Sequence, residues 1–287
     1  MKHDFIFIGS SHTGLKLFLS SNYFHIFKVI CIRERLTSEL NKLCLLNNVE
    51  LILVDSIKNF RDIIESNRKK QFDYIIYQLD MLIPEDLAIK YNFYNIHRGS
   101  LKNNRGPTPE VWSIIMGDTS TCISLHKINE RIDSGILIKS YDVRIDPSDS
   151  VSSIRKKMEE KLPLLYECLN NFLMGKLSGE SILDGVYRPW ITEHDFTLDI
   201  ENDSLEKIQR KIQSQRGYNG AIIFFEGRRY YITDLIEVGP ANKTINSSIK
   251  IEENIISVQT KNKLYRFKIN TLPLFSPPPI KAVSKRV

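Results

Sequence analysis

Through the first 150 residues, short apolar runs alternate with stretches whose apolar side chains recur three and four positions apart. The run Phe5-Ile-Phe-Ile8 ends at Gly9, and Phe27–Ile32, Val49–Val54, Tyr74–Tyr77 and Phe93–Ile96 follow it. Between them lie Gly14–Ser20, Thr37–Leu46 and Ile57–Ser66, which carry helical spacing. Strands rich in β-branched residues, separated by helices of this length, predict βαβ units and a parallel sheet. The longest helical pattern covers residues 150–174. There Val151, Ile154, Met158, Leu162, Leu165, Leu169 and Phe172 form one apolar stripe behind a cap at Asp149 or Ser150. Pro163 lies inside that stripe and predicts a kink or a break. Gly175–Gly185 is rich in turn residues, and the pattern changes after Trp190. Ser204 is placed to cap a short helix, Leu205–Gln213. Five alternating runs follow: Ala221–Phe225, Arg229–Val238, Ile249–Glu252, Ile255–Thr260 and Leu264–Ile269. Short strands at this spacing predict a small antiparallel barrel or sandwich.

The expected architecture is α/β: a Rossmann-like parallel-sheet domain over residues 1–180, a smaller β-rich, barrel-like domain over 190–275, and a loose tail over 276–287. The 287 residues are 42% hydrophobic, enough for a real core, which excludes a largely disordered chain. Forty basic against 34 acidic side chains leave a net charge of +6, spread thinly, with Lys281, Lys285 and Arg286 in the tail. No basic face competes for a phosphate backbone, so nucleic acid is not an expected partner. The apolar run Phe5–Ile8 is too short for a secretory signal, and no run reaches the roughly 18 residues of a membrane span. A cytoplasmic protein without a membrane partner is expected. Cys31, Cys44, Cys122 and Cys168 are far apart, with no CxxC pair and no histidine at ligand spacing. They read as buried free thiols, with no disulfide framework and no metal site. The turn Gly9-Ser-Ser-His-Thr-Gly14 is not G-x-G-x-x-G and lacks an acidic residue in a ribose-binding context. It reads as a tight strand-to-helix turn beside a ligand crevice rather than as a dinucleotide site.

Chemistry concentrates between Asn95 and Gly135. Asn95 and His97 follow a buried run, and residues i and i+2 of an extended segment point to the same side. That places an amide donor beside an imidazole at the carboxyl end of a parallel sheet, where open α/β sheets hold ligands. Asp133 lies in a turn after another strand candidate, Cys122–Lys127. An amide to hold an oxyanion, an imidazole to move a proton and a carboxylate to orient it are what acyl transfer to an amine needs. The alternative is an asparagine capping a turn beside a solvated histidine and aspartate.

Asn95-x-His97, Asn104-Arg-Gly-Pro-x-Pro109, Leu125-His-Lys127 and Ile132-Asp-x-Gly135 resemble, in order and spacing, the core signature of the formyltransferases that use 10-formyltetrahydrofolate. This family includes methionyl-tRNA formyltransferase and the sugar N-formyltransferases, and the similarity covers roughly residues 1–180. The resemblance implies that Asn95, His97 and Asp133 are the catalytic trio. Leu82-Ile-Pro84 resembles the segment whose backbone meets the pterin ring, and the implied folate contacts are Met81, Leu82, Ile83, Ile132 and Gly135. N10-formyltetrahydrofolate is then the co-substrate, and no metal is needed. Weaker similarity to the family's second domain lies in Ile208-x-x-Lys-Ile212 and Gly220-Ala221.

Two departures bear on the acceptor. Gly99, two residues past the histidine, together with Asn104-Arg-Gly106, is closer to the nucleotide-sugar enzymes. The tRNA-acting members carry a basic insertion where this chain has only Ile32-Arg-Glu-Arg-Leu-Thr37. The resemblance therefore implies N-formylation of a primary amine on a dTDP-, UDP- or GDP-linked amino sugar, of the kind used in lipopolysaccharide O-antigen biosynthesis. The alternative is methionyl-tRNA. Ser10, His12 and Arg105 are the expected contacts to the sugar nucleotide, although His12 reads equally well as a solvated surface residue. A homodimer is a possible assembly. The family's formyltetrahydrofolate hydrolases usually carry an extra N-terminal regulatory domain, whereas this chain starts at its first strand, so transfer is expected over hydrolysis.

His126 is expected to be a strand residue hydrogen-bonded in the sheet rather than a catalyst. His3, His25 and His194 read as surface, and Trp112 as packing for a helix after Pro109. Tyr218, Phe224, Phe225, Tyr230 and Tyr231 read as barrel core, with stacking on a base or sugar as the alternative.

Overall fold

A computed structural model describes residues 2–67, 72–225, 227–241 and 248–270. Its larger sheet begins with β1 (His3–Ile8), β2 (Phe24–Ile32), β3 (Glu50–Val54), β4 (Asp73–Tyr77) and β5 (Phe93–His97). These five strands pair in parallel in the order β3-β2-β1-β4-β5, as the alternating runs predicted. Along β1 the side chains divide between two cores. Phe5 and Phe7 enter one cluster, Ile6 and Ile8 the other, because successive residues of a strand face opposite sides. Helices α1 (His12–Leu19) and α2 (Ser38–Leu46) cover the first face, and α3 (Ile57–Ser66) and α4 (Glu85–Lys90) the second. Ser11, Thr37 and Ser56 cap the first three of these, each accepting from a backbone N–H three residues on.

The sheet then changes hand. After α5 (Pro109–Met116), strands β6 (Ser120–Lys127) and β7 (Gly135–Arg144) continue it antiparallel, and β8 (Glu180–Ile182) closes its edge. The 150–174 stripe is two helices, α6 (Val151–Glu159) and α7 (Leu162–Leu173). Pro163 is the second residue of α7, where its missing N–H costs no intrahelical bond, so the predicted break falls just ahead of it. Ser150 is the cap of α6, and Asp149 accepts from Ser153 Oγ beneath it.

Beyond α8 (Glu193–Phe196), the amphipathic α9 (Leu205–Ser214) lays Ile208 and Ile212 on a second, antiparallel half-barrel sheet. That sheet has the order β11-β12-β13-β10-β9, from β9 (Ala221–Phe225), β10 (Arg228–Pro240), β11 (Ser248–Glu252), β12 (Ile255–Gln259) and β13 (Lys263–Ile269). Of the aromatics assigned to its core, Tyr230 packs there, Tyr218 packs on the larger sheet's cluster, and Phe224 is exposed under the Arg229 guanidinium. α9 also meets α5, where Arg210 donates to Met116 O. The expected tail, 276–287, lies outside the described residues. No described helix is long and apolar enough to cross a membrane.

Candidate active site

The order of the larger sheet reverses between β1 and β4, and a crevice opens there at the carboxyl ends of the strands. β5, next in order, delivers Asn95 and His97 to that edge from one face of the strand. His97 is nearly buried. Its Nε2 lies 2.8 Å from Asn104 O, a partner that can only accept, so Nε2 carries the proton. Nδ1 then presents its lone pair toward Asp133 Oδ1, 3.5 Å away. Asn104 is itself held by donating from its amide to Pro109 O (2.7 Å) and Ser113 Oγ (3.1 Å). The Asn104-Arg-Gly-Pro motif thus sets the imidazole's tautomer.

Asp133 reaches the same point from the turn between β6 and β7, where its backbone takes the left-handed φ of 43°. Its Oδ2 accepts the Gly106 N–H at 2.7 Å, and its other oxygen faces His97. Gly135 anchors the end of this turn. At φ 112° a Cβ there would stand 2.2 Å from Lys127 O, so no other residue fits the close approach. The structure therefore brings Asn95, His97 and Asp133 together from one strand and a turn.

His126, read from sequence as a sheet residue, lies directly across from Asn95 in the β5–β6 ladder. Cross-strand partners share a face, and Asn95 Nδ2 sits 3.2 Å from His126 Nε2. His126 Nδ1 is 3.0 Å from Ser134 O, which fixes its proton on that nitrogen and leaves Nε2 to accept from the Asn95 amide. The second N–H of that amide is then free for the site. Burial pushes the His126 pKa down to about 4, outweighing the Asp133 carboxylate that would raise it. The imidazole is neutral at physiological pH, as an acceptor must be. Sequence reasoning held His126 to a structural role because only the ladder register shows which side chain faces it.

The expected folate contacts occupy two loops. Met81 and Ile83 pack against the α3–α4 core together with Ile128, so the loop after β4 and the β6–β7 turn share one side of the sheet. Leu82 and Ile132 are exposed apolar side chains on these same two loops. Flat apolar surfaces flanked by free backbone groups suit a pterin ring. Ser10 donates from both its hydroxyl and its N–H to Gln78 O, tying the β1–α1 turn to the loop after β4. His12 is the exposed first residue of α1.

Arg105 corrects the expectation. It is buried, and its guanidinium donates to the carbonyls of Leu101, Leu183 and Ile182, which leaves no fork for a diphosphate. The cation the sequence did not single out is Arg98, next to His97. It pairs at 3.5 Å with Glu110, a carboxylate with no exposed surface that also takes Arg155 Nε at 2.6 Å. Burial alone would raise the Glu110 pKa, yet the two guanidinium groups hold it below the usual carboxylate range. Among the described residues no cluster of three metal-ligating side chains occurs.

The family model described as formyl transferase matches residues 47–166. The methionyl-tRNA formyltransferase of Pseudothermotoga lettingae is 26% identical over 183 residues, which is 61% of this chain and 60% of that protein. The N-formyltransferase from Helicobacter canadensis, solved in complex with folinic acid and dTDP-3-aminofucose, superposes with a TM-score of 0.66 at 14% identity, over 94% of this chain and 99% of that one. HypX from Aquifex aeolicus gives 0.64 at 16% identity, over 93% of this chain but 44% of its own length. The chain thus spans less than two thirds of the P. lettingae and HypX sequences, while its fold is shared along nearly its whole length. The family match over residues 47–166 and these relatives make the chain similar to the formyl transferases, and its fold is the one the N-formyltransferase structure shares.

Proposed function

We propose that this protein transfers a formyl group from 10-formyltetrahydrofolate to the primary amine of a nucleotide-linked amino sugar. One observation carries the transfer chemistry: an amide donor, a tautomer-fixed imidazole and a carboxylate converge at one sheet edge. The co-substrate supplies the formyl carbon. As the neutral amine attacks it, the free Asn95 N–H donates to the oxyanion that develops, and His97 Nδ1 accepts the proton the amine must lose. That proton makes an imidazolium facing Asp133 Oδ1, so the carboxylate stabilises the charge where it appears; as the oxyanion collapses the formyl carbon–N10 bond breaks, and the proton passes on to N10 as tetrahydrofolate leaves. Gly106 N–H keeps the second carboxylate oxygen engaged and the group aligned.

The acceptor is argued from charge. Arg33 and Arg35, the cations in the place of a basic insertion, are paired with Asp55 and Asp80. A tRNA needs many phosphate contacts, whereas a nucleotide sugar offers one diphosphate that a helix N-terminus and one or two cations satisfy. The start of α1, with His12, and Arg98 take that role here in place of Arg105, since both donors of Ser10 are already given to Gln78 O; His12 and Arg98 both lower the pKa of the Glu159 carboxyl, which burial raises. Methionyl-tRNA is the second reading, favoured by the sequence relatives. The test is incubation with 10-formyltetrahydrofolate and a panel of dTDP-, UDP- and GDP-linked amino sugars, read by mass for gain of one formyl group. Efficient formylation of charged initiator tRNA, falling steeply with salt, promotes the second reading.

A further inference from the structure

The segment that joins the two sheets is built into the wall of the site. Arg105 N–H donates to Val186 O (2.9 Å), Val186 N–H to Lys102 O (2.9 Å) and Arg188 N–H to Arg105 O (2.8 Å). These bonds pair residues 186–188 with the loop that follows His97. The Arg105 guanidinium fastens the carbonyls of Ile182 and Leu183, and Trp112 Nε1 donates to Pro189 O at 2.8 Å. Arg188 lies over the Trp112 ring, 5.9 Å from its centroid. The strap is therefore fixed from Ile182 to Pro189.

Its one aromatic residue, Tyr187, is 51% exposed although both its neighbours are tied down. The ring lies against the Gly106 backbone: a Cβ on Gly106 would come within 2.8 Å of Tyr187 Cε2. Gly106 is also the residue whose N–H holds Asp133 Oδ2. Burial and the Asp133 charge both push the Tyr187 phenol up, which places the ring in the electrostatic field of that carboxylate. A flat, half-open aromatic face thus stands one residue's width from the group that stabilises the protonated imidazole. An exposed aromatic on mobile chain is ordinary surface, but one immobilised beside catalytic groups is a platform.

We infer that Tyr187 is a specificity-determining residue on which the amine-bearing ring of the acceptor stacks. This rests on the acceptor reading above. The reacting amine must lie within reach of His97, so the ring carrying it falls within a few ångströms of Asp133 and Gly106. The folate loops approach from the side of the sheet where Met81, Ile83 and Ile128 pack, which leaves the Gly106 side to the acceptor. An aromatic face binds the C–H face of a pyranose without using the hydroxyls that other groups read.

The experiment compares the full chain with Tyr187→Ala and Tyr187→Phe in steady-state formylation, varying acceptor and 10-formyltetrahydrofolate separately. Thermal unfolding of each variant checks that the strap stays folded. Tyr187→Ala is expected to raise the acceptor KM about tenfold, leaving the folate KM and tetrahydrofolate binding within twofold, and Tyr187→Phe is expected to behave as wild type. An unchanged acceptor KM in a folded Tyr187→Ala, or a rise in the folate KM instead, overturns the inference. If the wild-type protein formylates a different amine and no amino sugar, the acceptor reading fails by itself. The same KM comparison on that amine then decides whether Tyr187 faces the acceptor.

Discussion

Asn95 and His126 face each other across the seam where the sheet turns from parallel to antiparallel, amide nitrogen to imidazole nitrogen at 3.2 Å. One ring therefore fixes the direction of the Asn95 amide and, through Ser134 O, the turn that carries Asp133. The two parts of the site that come from distant sequence are spaced by a single neutral side chain.

The trio itself is the first test. Asn95→Ala is expected to lower kcat by about 10²–10³, and His97→Ala by about 10²–10⁴. Asp133→Ala should fall in the same range as His97→Ala, since it removes the partner of the imidazolium. Tetrahydrofolate affinity, measured by calorimetry, should change little in all three. Near wild-type turnover in any of them removes its assigned role.

His126→Leu keeps bulk but cannot accept from the Asn95 amide. Loss of that orientation is expected to cost up to about 10² in kcat, the scale of a small misplacement in a catalytic constellation. KM for both substrates should hold. His126→Asn, which offers an acceptor again, should recover part of the rate. An unaffected His126→Leu would reduce the residue to sheet packing.

The same histidine sets a pH dependence of stability. Its folded pKa of about 4 lies below the ordinary 6.5, so the unfolded chain binds the extra proton first. Its contribution is fully present above pH 6.5 and is lost as pH falls from there toward 4, on the order of 3 kcal/mol in all. Buried carboxylates held low, such as Glu110, lose theirs at lower pH. Urea unfolding at pH 7, 5.5 and 4.5 should show a steep loss in the wild type and a shallower one in His126→Leu. Parallel slopes would disprove the assignment.

Arg105→Met is expected to destabilise the fold by about 3–5 kcal/mol, because three carbonyls lose a charged donor in a buried place. Nucleotide-sugar KM should not rise in the fraction that stays folded. A stable variant with weakened nucleotide binding would restore the phosphate role that sequence alone suggested.

The parallel half of the fold was legible because each of its strands is a continuous apolar run bounded by turns, and the shared placement of Asn95 and His97 because Asn95-x-His97 sits at the end of one such run. The antiparallel half was less so. β7 and β8 are edge-ward strands with exposed polar faces, and Gly135–Arg144 alternates too loosely to be separated from loop. Arg105 was misread for a related reason. A guanidinium beside a glycine and a proline has the composition of an anion site, and only the chain's return at Ile182–Arg188 shows which carbonyls it serves. Pairings of this sequence separation leave no local periodicity to read.

The strap from Ile182 to Pro189 also bears on how this chain can be recombined. A cut placed at Ile182, where the larger sheet ends, would strip the Arg105 guanidinium of the Leu183 carbonyl and leave the loop after His97 without its backbone partners. A cut placed after Trp190 would carry those partners along. The unit that holds Asn95, His97 and Asp133 in place is therefore longer than its sheet, and the chain beyond it can be exchanged only downstream of the tryptophan.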